Sequence, residues 1–258
     1  MTEVKGLAFF DLDGTLLDEH SDVTIEIIEA MIELQENKII PVIATGRTNT
    51  EVREISQRTG IDSLITMNGQ YVLFEGKEVY SGLIPQDICE KMYHQTQALG
   101  QEIGFYTPDL ITVSQHTPMV EKTYNYIHSP LPIVNSQLYR ERDLNMLLVI
   151  GEEHDDVYKE NFPELTFFRN GPHSIDVISK GGNKGKGVRE LVKALGLEGV
   201  PTYGFGDGLN DIDLLKACDH RIAMGNAKPE LKEIATYITT KNTEGGILRA
   251  LRQYNLIY

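Results

Sequence analysis

Short apolar runs that end in Gly or Asp alternate with amphipathic stretches through the first third of the chain. Residues 4–10, VKGLAFF, predict a strand that stops at DLDGT. Between Val23 and Leu34, the positions Val23, Ile27, Met31 and Leu34 recur at helical spacing, and Ile28 and Ile32 widen that apolar face. Either Asp22 or Thr24 can cap its start. KIIPVIAT, which runs into TGR, predicts a second strand, so the three elements form a parallel βαβ unit with a right-handed crossover. A helix over 50–59 ending near Gly60, a strand LITM at 64–67 and a hairpin in YVLFEGKEVYSG with Glu75-Gly76 at its turn complete this part.

After Gly82 and Pro85 the rhythm changes. Helical patterns at 86–99, 118–128 and 153–161 interleave with strand-like pieces at 110–114, 146–151, 165–169 and 174–178. Beyond KGGNKGKG the earlier alternation returns. Val188, Leu191, Val192 and Leu195 mark a helix over 187–195, PTYGFGDG, RIAMG and ATYITT read as strand ends, and GILRALRQY closes the chain as a helix. The economical architecture is α/β: a Rossmann-like three-layer core with a parallel sheet, built from 1–81 and 180–258, and an inserted α+β domain at 82–179. Insertion at such loop sites is physically tolerated.

Composition narrows the partners. The 258 residues carry 38 Asp and Glu against 24 Lys and Arg, a net charge of -14, with no dense basic stretch. A field of that sign disfavours nucleic acids and anionic membranes. The two cysteines, Cys89 and Cys218, make neither a CxxC pair nor a disulfide framework. MTEVKGLAFFDLDG has neither a signal-peptide layout nor an apolar span long enough for a membrane helix. The expectation is a cytoplasmic protein, as monomer or homodimer, with no nucleic-acid or membrane partner.

The candidate chemistry clusters where apolar strands stop, and ligands of open α/β sheets collect beyond the carboxyl ends of strands. Asp11 and Asp13 flank Leu12, which turns into the core, and Gly14 permits close backbone approach. Two neighbouring carboxylates of unequal pKa can divide nucleophilic and acid/base work. An acidic turn after a strand is the bland alternative. Thr45 and Gly46 can offer a hydroxyl and a backbone N–H to a phosphoryl oxygen, while Arg47 either reaches substrate or pairs with a carboxylate. In GFGDGLND, Asp207 with Asp11 and the backbone carbonyl of Asp13 would offer hard oxygen ligands to Mg²⁺. Asp211 would act behind them or through water, and Asn210 could donate to phosphate. Either Lys184 or Lys186 could neutralise the nucleophile and the phosphoryl group. Neither glycine cluster has dinucleotide-loop or P-loop spacing, and the scattered histidines give zinc little support.

FFDLDGTLLD at 9–18, IATGR at 43–47, SKGGNKGKGVREL at 179–191 and GFGDGLNDIDLL at 204–215, with MNG at 67–69 and AMGNA at 223–227, resemble the haloacid dehalogenase-like hydrolase superfamily. The similarity is to its Cof-type phosphatase branch, which carries a large cap inserted after the third core strand, and it extends over essentially the whole chain. The resemblance implies a Mg²⁺-dependent phosphatase. Asp11 would be the nucleophile, Asp13 the general acid/base, Thr45 a phosphate ligand, Lys184 the active-site lysine and Asp207 a metal ligand, with Asn210 and Asp211 completing the site. Asp13 argues against dehalogenation, because a departing halide needs no proton.

The inserted domain would then be a lid, hinged near 81–85 and 178–182, that selects a small phosphorylated metabolite such as a sugar phosphate. Arg47 and Asn68 of the core and His173 and Asp176 of the inserted domain are the specificity candidates. A phosphomutase of the same fold and a noncatalytic metabolite-binding protein are the alternatives.

Overall fold

The computed structural model describes residues 4–169 and 171–258; residues 1–3 and 170, which the expected domains include, lie outside it. The first part of the chain forms β1 (Gly6–Phe10), α1 (Ile25–Glu36), β2 (Ile39–Ala44), α2 (Asn49–Thr59), β3 (Leu64–Thr66), β4 (Tyr71–Phe74) and β5 (Lys77–Ser81). The middle forms α3 (Gln86–Ala98), β6 (Glu102–Tyr106), β7 (Ile111–Val113), α4 (Pro118–Tyr126), β8 (Ile133–Val134), α5 (Leu138–Glu141), β9 (Met146–Ile150), α6 (Asp155–Asn161), β10 (Leu165–Phe168) and β11 (Ser174–Ser179). The remainder adds α7 (Lys184–Leu195), β12 (Thr202–Gly206), α8 (Ile212–Lys216), β13 (His220–Ala223), α9 (Pro229–Ile234), β14 (Tyr237–Ile238) and α10 (Gly246–Gln253). Internal contacts divide the chain into one unit of Met1–Arg47, Val52–Tyr80 and Asn183–Tyr258 and a second of Thr48–Glu51 and Ser81–Gly182.

The first unit is an α/β, Rossmann-like core. Its sheet runs β14-β13-β12-β1-β2-β3-β4-β5. The strands from β14 to β3 are parallel neighbours, and β4 turns back antiparallel to β3. Every residue of β1 is buried, as a central strand covered on both faces requires. From β1 the chain moves outward through β2 and β3, and it later returns to the other side of β1 as β12. The carboxyl ends of β1 and β12 therefore lie side by side at the point where strand order reverses, with Phe10 in register with Phe205.

Two details correct the expected helices. Thr24 caps α1, its hydroxyl accepting from Ile27 N–H at 3.4 Å, and Ile27, Met31 and Leu34 are buried, but Ile32 is 50% exposed. Successive helical residues turn by about 100°, which carries Ile32 past the packed stripe that Met31 occupies. The helix expected over 187–195 begins three residues earlier, at Lys184, because Asn183 caps it by accepting from Lys186 N–H at 2.7 Å. Glycine at 185 does not break that first turn; it permits it, since a Cβ there would stand 2.1 Å from the Asp213 carbonyl oxygen.

The second unit is α+β, with its sheet in the order β10-β11-β9-β6-β7-β8. All its pairs are antiparallel except β7 with β8. Ile103 and Phe105, Leu147 and Val149, and Ile175 and Val177 alternate onto one face and pack with Ile88 and Met92 of α3 and Leu138 of α5. The sequence pattern did not reveal β6, although it pairs with both β7 and β9. Its Gly104 interrupts the strand signal, yet a Cβ there would lie 2.8 Å from the Tyr106 ring, so the glycine makes room for that side chain. Beside it the buried Tyr106 and Tyr124 hydroxyls share a 2.9 Å hydrogen bond. No helix among the described residues is long and apolar enough to cross a membrane.

Candidate active site

The loop after β1 is shaped by two wide turns, in which Leu16 N–H reaches the Asp11 carbonyl at 3.2 Å and Leu17 N–H the Leu12 carbonyl at 2.9 Å. Leu12 is fully buried beneath them. The next neighbour strand fixes the loop's start, since Asp11 N–H donates to the Phe205 carbonyl at 3.0 Å. Gly14 has φ +77°, and a Cβ on it would stand 2.5 Å from Asp207 Oδ2, so only glycine lets the turn lie flat against that carboxylate. Thr15 Oγ1 donates to Asp207 Oδ1 at 3.2 Å.

α7 supplies the cation. Lys184 is completely buried, and its Nζ donates to Asp11 Oδ1 at 2.5 Å and to Asp211 Oδ1 at 2.6 Å. The second lysine, Lys186, instead lies with Nζ 5.0 Å from the centre of the Tyr80 ring. The two candidates therefore separate by environment. Asp211 is also fully buried, and its other oxygen accepts from the N–H groups of Asp207 and Gly208, each at 3.0 Å. It ties the lysine to the loop that follows β12.

Oxygens of Asp11, Asp207 and Asp211 come within 4.8 Å of one another. Three carboxylates against one ammonium leave two formal negative charges in this cluster. The acid groups register that excess. Burial raises the Asp11 carboxyl well above its ordinary range, the Asp211 charge adds to the effect, and Lys184 opposes it. Asp207 is pushed up to about 6, first by burial and then by Asp211, against the bond from Thr15. Burial alone would push Lys184 down, but Asp11 and Asp211 hold it above its usual value. An all-oxygen donor set with a surplus of negative charge fits a hard divalent cation, and the three acids could coordinate one.

Asp13 points elsewhere. Its side chain is 57% exposed, and both its oxygens accept from Arg47: Oδ2 from Nε at 2.9 Å, and Oδ1 from an Nη. Of the two roles open to Arg47, the pairing with a carboxylate is the one observed here. Thr45 is buried at the end of β2, and its hydroxyl oxygen accepts from Arg47 N–H at 3.1 Å, which leaves the hydroxyl proton to donate. Asn68 is buried beside Gly46. Asn210 follows the β12 loop, half-buried, with its Oδ1 against Gly208.

His173 and Asp176 belong to the second unit. His173 Nδ1 lies 2.8 Å from Glu152 Oε1, and its ring stands edge-on to Tyr126 at 5.4 Å. Asp176 is half-buried on β11, on the face opposite Ile175 and Val177, and its charge is felt by the buried Tyr106. Sequence reasoning missed Thr15 and Asn226 as parts of the site. Thr15 stood in the DLDGT segment, and Asn226 in AMGNA, but nothing in either residue's neighbours along the chain announced a partner near position 207.

Comparison with known proteins places this fold and its loop cluster in a class of hydrolases. The family described as haloacid dehalogenase-like hydrolase matches residues 8–251, and the chain belongs to it. A putative phosphatase, YkrA of Bacillus subtilis (strain 168), is 32% identical over 97% of this chain and 98% of its own length. A crystal structure of a hypothetical protein from Geobacillus kaustophilus HTA426 is similar with a TM-score of 0.92 at 32% identity, covering 99% of this chain and 100% of that one. The sugar phosphatase BT4131, of HAD subclass IIB, is similar with a TM-score of 0.86 at 31% identity, covering 98% of this chain and 100% of that one. The chain is an enzyme of hydrolytic type, with the α/β core and inserted unit of its family.

Proposed function

We propose that this enzyme hydrolyses the phosphate ester of a small metabolite, a sugar phosphate before other classes, through an aspartyl-phosphate on Asp11, and that it depends on Mg²⁺. The observation that carries this reading is the buried Asp11 carboxylate, fixed by Lys184 through Oδ1 alone. A carboxylate placed so keeps a second oxygen for attack.

Asp11 forms a bond to phosphorus as the ester P–O bond breaks, and Asp13 gives its proton to the departing alcohol oxygen. Water then forms the new P–O bond, the bond to Asp11 breaks, and Asp13 takes up the water's proton. Both Asp13 oxygens accept from Arg47, so Asp13 can serve as acid/base only when Arg47 releases one of them. Thr45, Gly46 and Asn210 bind the phosphoryl oxygens, and Lys184 offsets their charge. Asp11, Asp207 and the Asp13 carbonyl would hold Mg²⁺, with Asp211 behind them, since its oxygens already accept from Lys184 and two N–H groups. The ion supplies charge neutralisation to the transferring phosphoryl group.

Residues 82–179 are, in this reading, the domain that selects the substrate, through His173 and Asp176, and Asn68 of the core is a further substrate contact. The sugar phosphatase BT4131 supports the choice of substrate class. The test is phosphate release from a panel of sugar phosphates, nucleotides and phosphorylated cofactors, with Mg²⁺ or with EDTA, using wild type and folded Asp11→Asn. Metal-dependent release that D11N abolishes is expected. An isomerised product that keeps its phosphate would identify a mutase instead, and binding without turnover across the panel would favour a noncatalytic role.

A further inference from the structure

Asp207 meets three restraints outside the acid cluster. Thr15 donates to its Oδ1, Lys228 N–H donates to its backbone carbonyl at 2.9 Å, and the Asn226 amide reaches its Oδ2 at 3.5 Å. The same Asn226 Nδ2 donates to the Gly14 carbonyl at 2.8 Å. Asn226 Oδ1 in turn accepts from Asn242 N–H at 3.1 Å, and Asn242 Nδ2 donates to the Leu17 carbonyl at 2.8 Å. The amide is thus oriented from both ends: its nitrogen faces two acceptors and its oxygen faces a donor, and a flipped amide would satisfy none of them. One side chain from the loop after β13 therefore spans the turn that carries Asp13 and the carboxylate that turn lies against.

We propose that Asn226 is a positioning residue of the cation site. It holds the Gly14 turn and the Asp207 carboxylate at a fixed separation, so the backbone carbonyl of Asp13 and the side chain of Asp207 are already oriented when a divalent cation arrives. This role for Asn226 rests on the proposed dependence of the site on a divalent cation. Carboxylate ligands commonly depend on such neighbouring donors, and losing one typically costs roughly 10–100-fold in metal affinity or activity.

Charge and donation make opposite expectations here, which gives the test its discrimination. Asn226→Ala removes the donor. Asn226→Asp also removes it but adds a carboxylate beside a cation site, so a purely electrostatic contribution would tighten binding, whereas a positioning role weakens it. The measurement is Mg²⁺ titration calorimetry of the metal-free 258-residue chain, with the Mg²⁺ concentration dependence of phosphate release beside it. Expected is a roughly tenfold or greater loss of Mg²⁺ affinity in both variants, with turnover largely restored at saturating Mg²⁺ in N226A. Should N226A fail to fold, Asn226→Ser, whose shorter hydroxyl falls short of the Gly14 carbonyl, carries the same expectation. Wild-type affinity retained in N226A or N226S, or tighter binding in N226D, overturns the assignment. A wild type that binds no Mg²⁺ removes the cation-site reading and the assignment with it, while a wild-type signal unchanged in the variants removes only the assignment.

Discussion

The two units treat charge in opposite ways. In the Rossmann-like unit, Asp11, Asp211 and Lys184 are buried together, and Asp207 is crowded against them. In the second unit the pairs Lys122–Glu152, Arg140–Glu90 and Arg142–Asp109 stay at the surface, Arg169–Asp155 is a one-to-one pair only partly withdrawn from solvent, and the buried polar contact beside Gly104 is the neutral one between Tyr106 and Tyr124. Exposed pairs contribute little, about 0–1 kcal/mol. Buried charge is costly to assemble, and a fold that retains three acids around one lysine does so where chemistry needs it. Among the described residues the only acid cluster able to hold a metal lies in the first unit. Under the proposed function, the reaction chemistry belongs to the first unit.

Removing Lys184 should break this contrast most severely. Lys184→Ala strands two buried carboxylates, so denaturant unfolding is expected to show a loss of about 3–5 kcal/mol, and activity should vanish with it. Next comes Asp13→Asn, at an exposed position, which should fold normally by circular dichroism yet slow phosphate release by roughly 10²–10⁴-fold. Retained activity in D13N would remove it as the acid/base.

A smaller effect follows from pH. The Asp207 carboxyl sits at about 6 in the folded protein, above its usual 3.8, so between those values the folded state binds more protons than the unfolded one. Its contribution to the stability of the metal-free protein is therefore present below about 4 and lost as pH rises through about 6. Asp11 shifts in the same direction and reinforces the trend. Melting temperatures in EDTA, compared between wild type and Asp207→Asn, should converge at low pH and diverge above about 6 with the wild type lower; parallel curves would refute the shift. The smallest effect is expected in the second unit. His173→Ala should cost at most about 1 kcal/mol through its contact with the half-exposed Glu152, and leave Mg²⁺ affinity unchanged in the same calorimetric titration.

The core site was legible because its residues follow apolar strands directly. Asp11, Thr45 and Asp207 each stand just past a strand that the apolar pattern marks, and parallel strands deliver their ends to one edge. Lys184 was legible only with Lys186 beside it, since the pattern does not say which of two lysines on the first turn of α7 points inward; burial against Asp11 and Asp211 decides it. Asn226 was not legible. Its partner Gly14 lies 212 residues away, and local pattern carries no information on such a contact. β6 was hidden for a related reason: Gly104 weakens the strand signal locally, and its purpose, space for the Tyr106 ring, exists only after folding. The substrate-selecting residues are the least legible of all, because polar side chains on a mixed sheet carry no periodic mark of which ones meet a ligand.

The central claim is a covalent phosphoryl group on Asp11. Rapid mixing of the enzyme with a turned-over substrate and Mg²⁺, acid quenching within the turnover time and mass spectrometry of the peptides tests it directly. A phosphoryl adduct is expected on the peptide that carries Asp11, absent from Asp11→Asn. Undiminished phosphate release with the adduct on another residue, or turnover that persists in D11N, would contradict it.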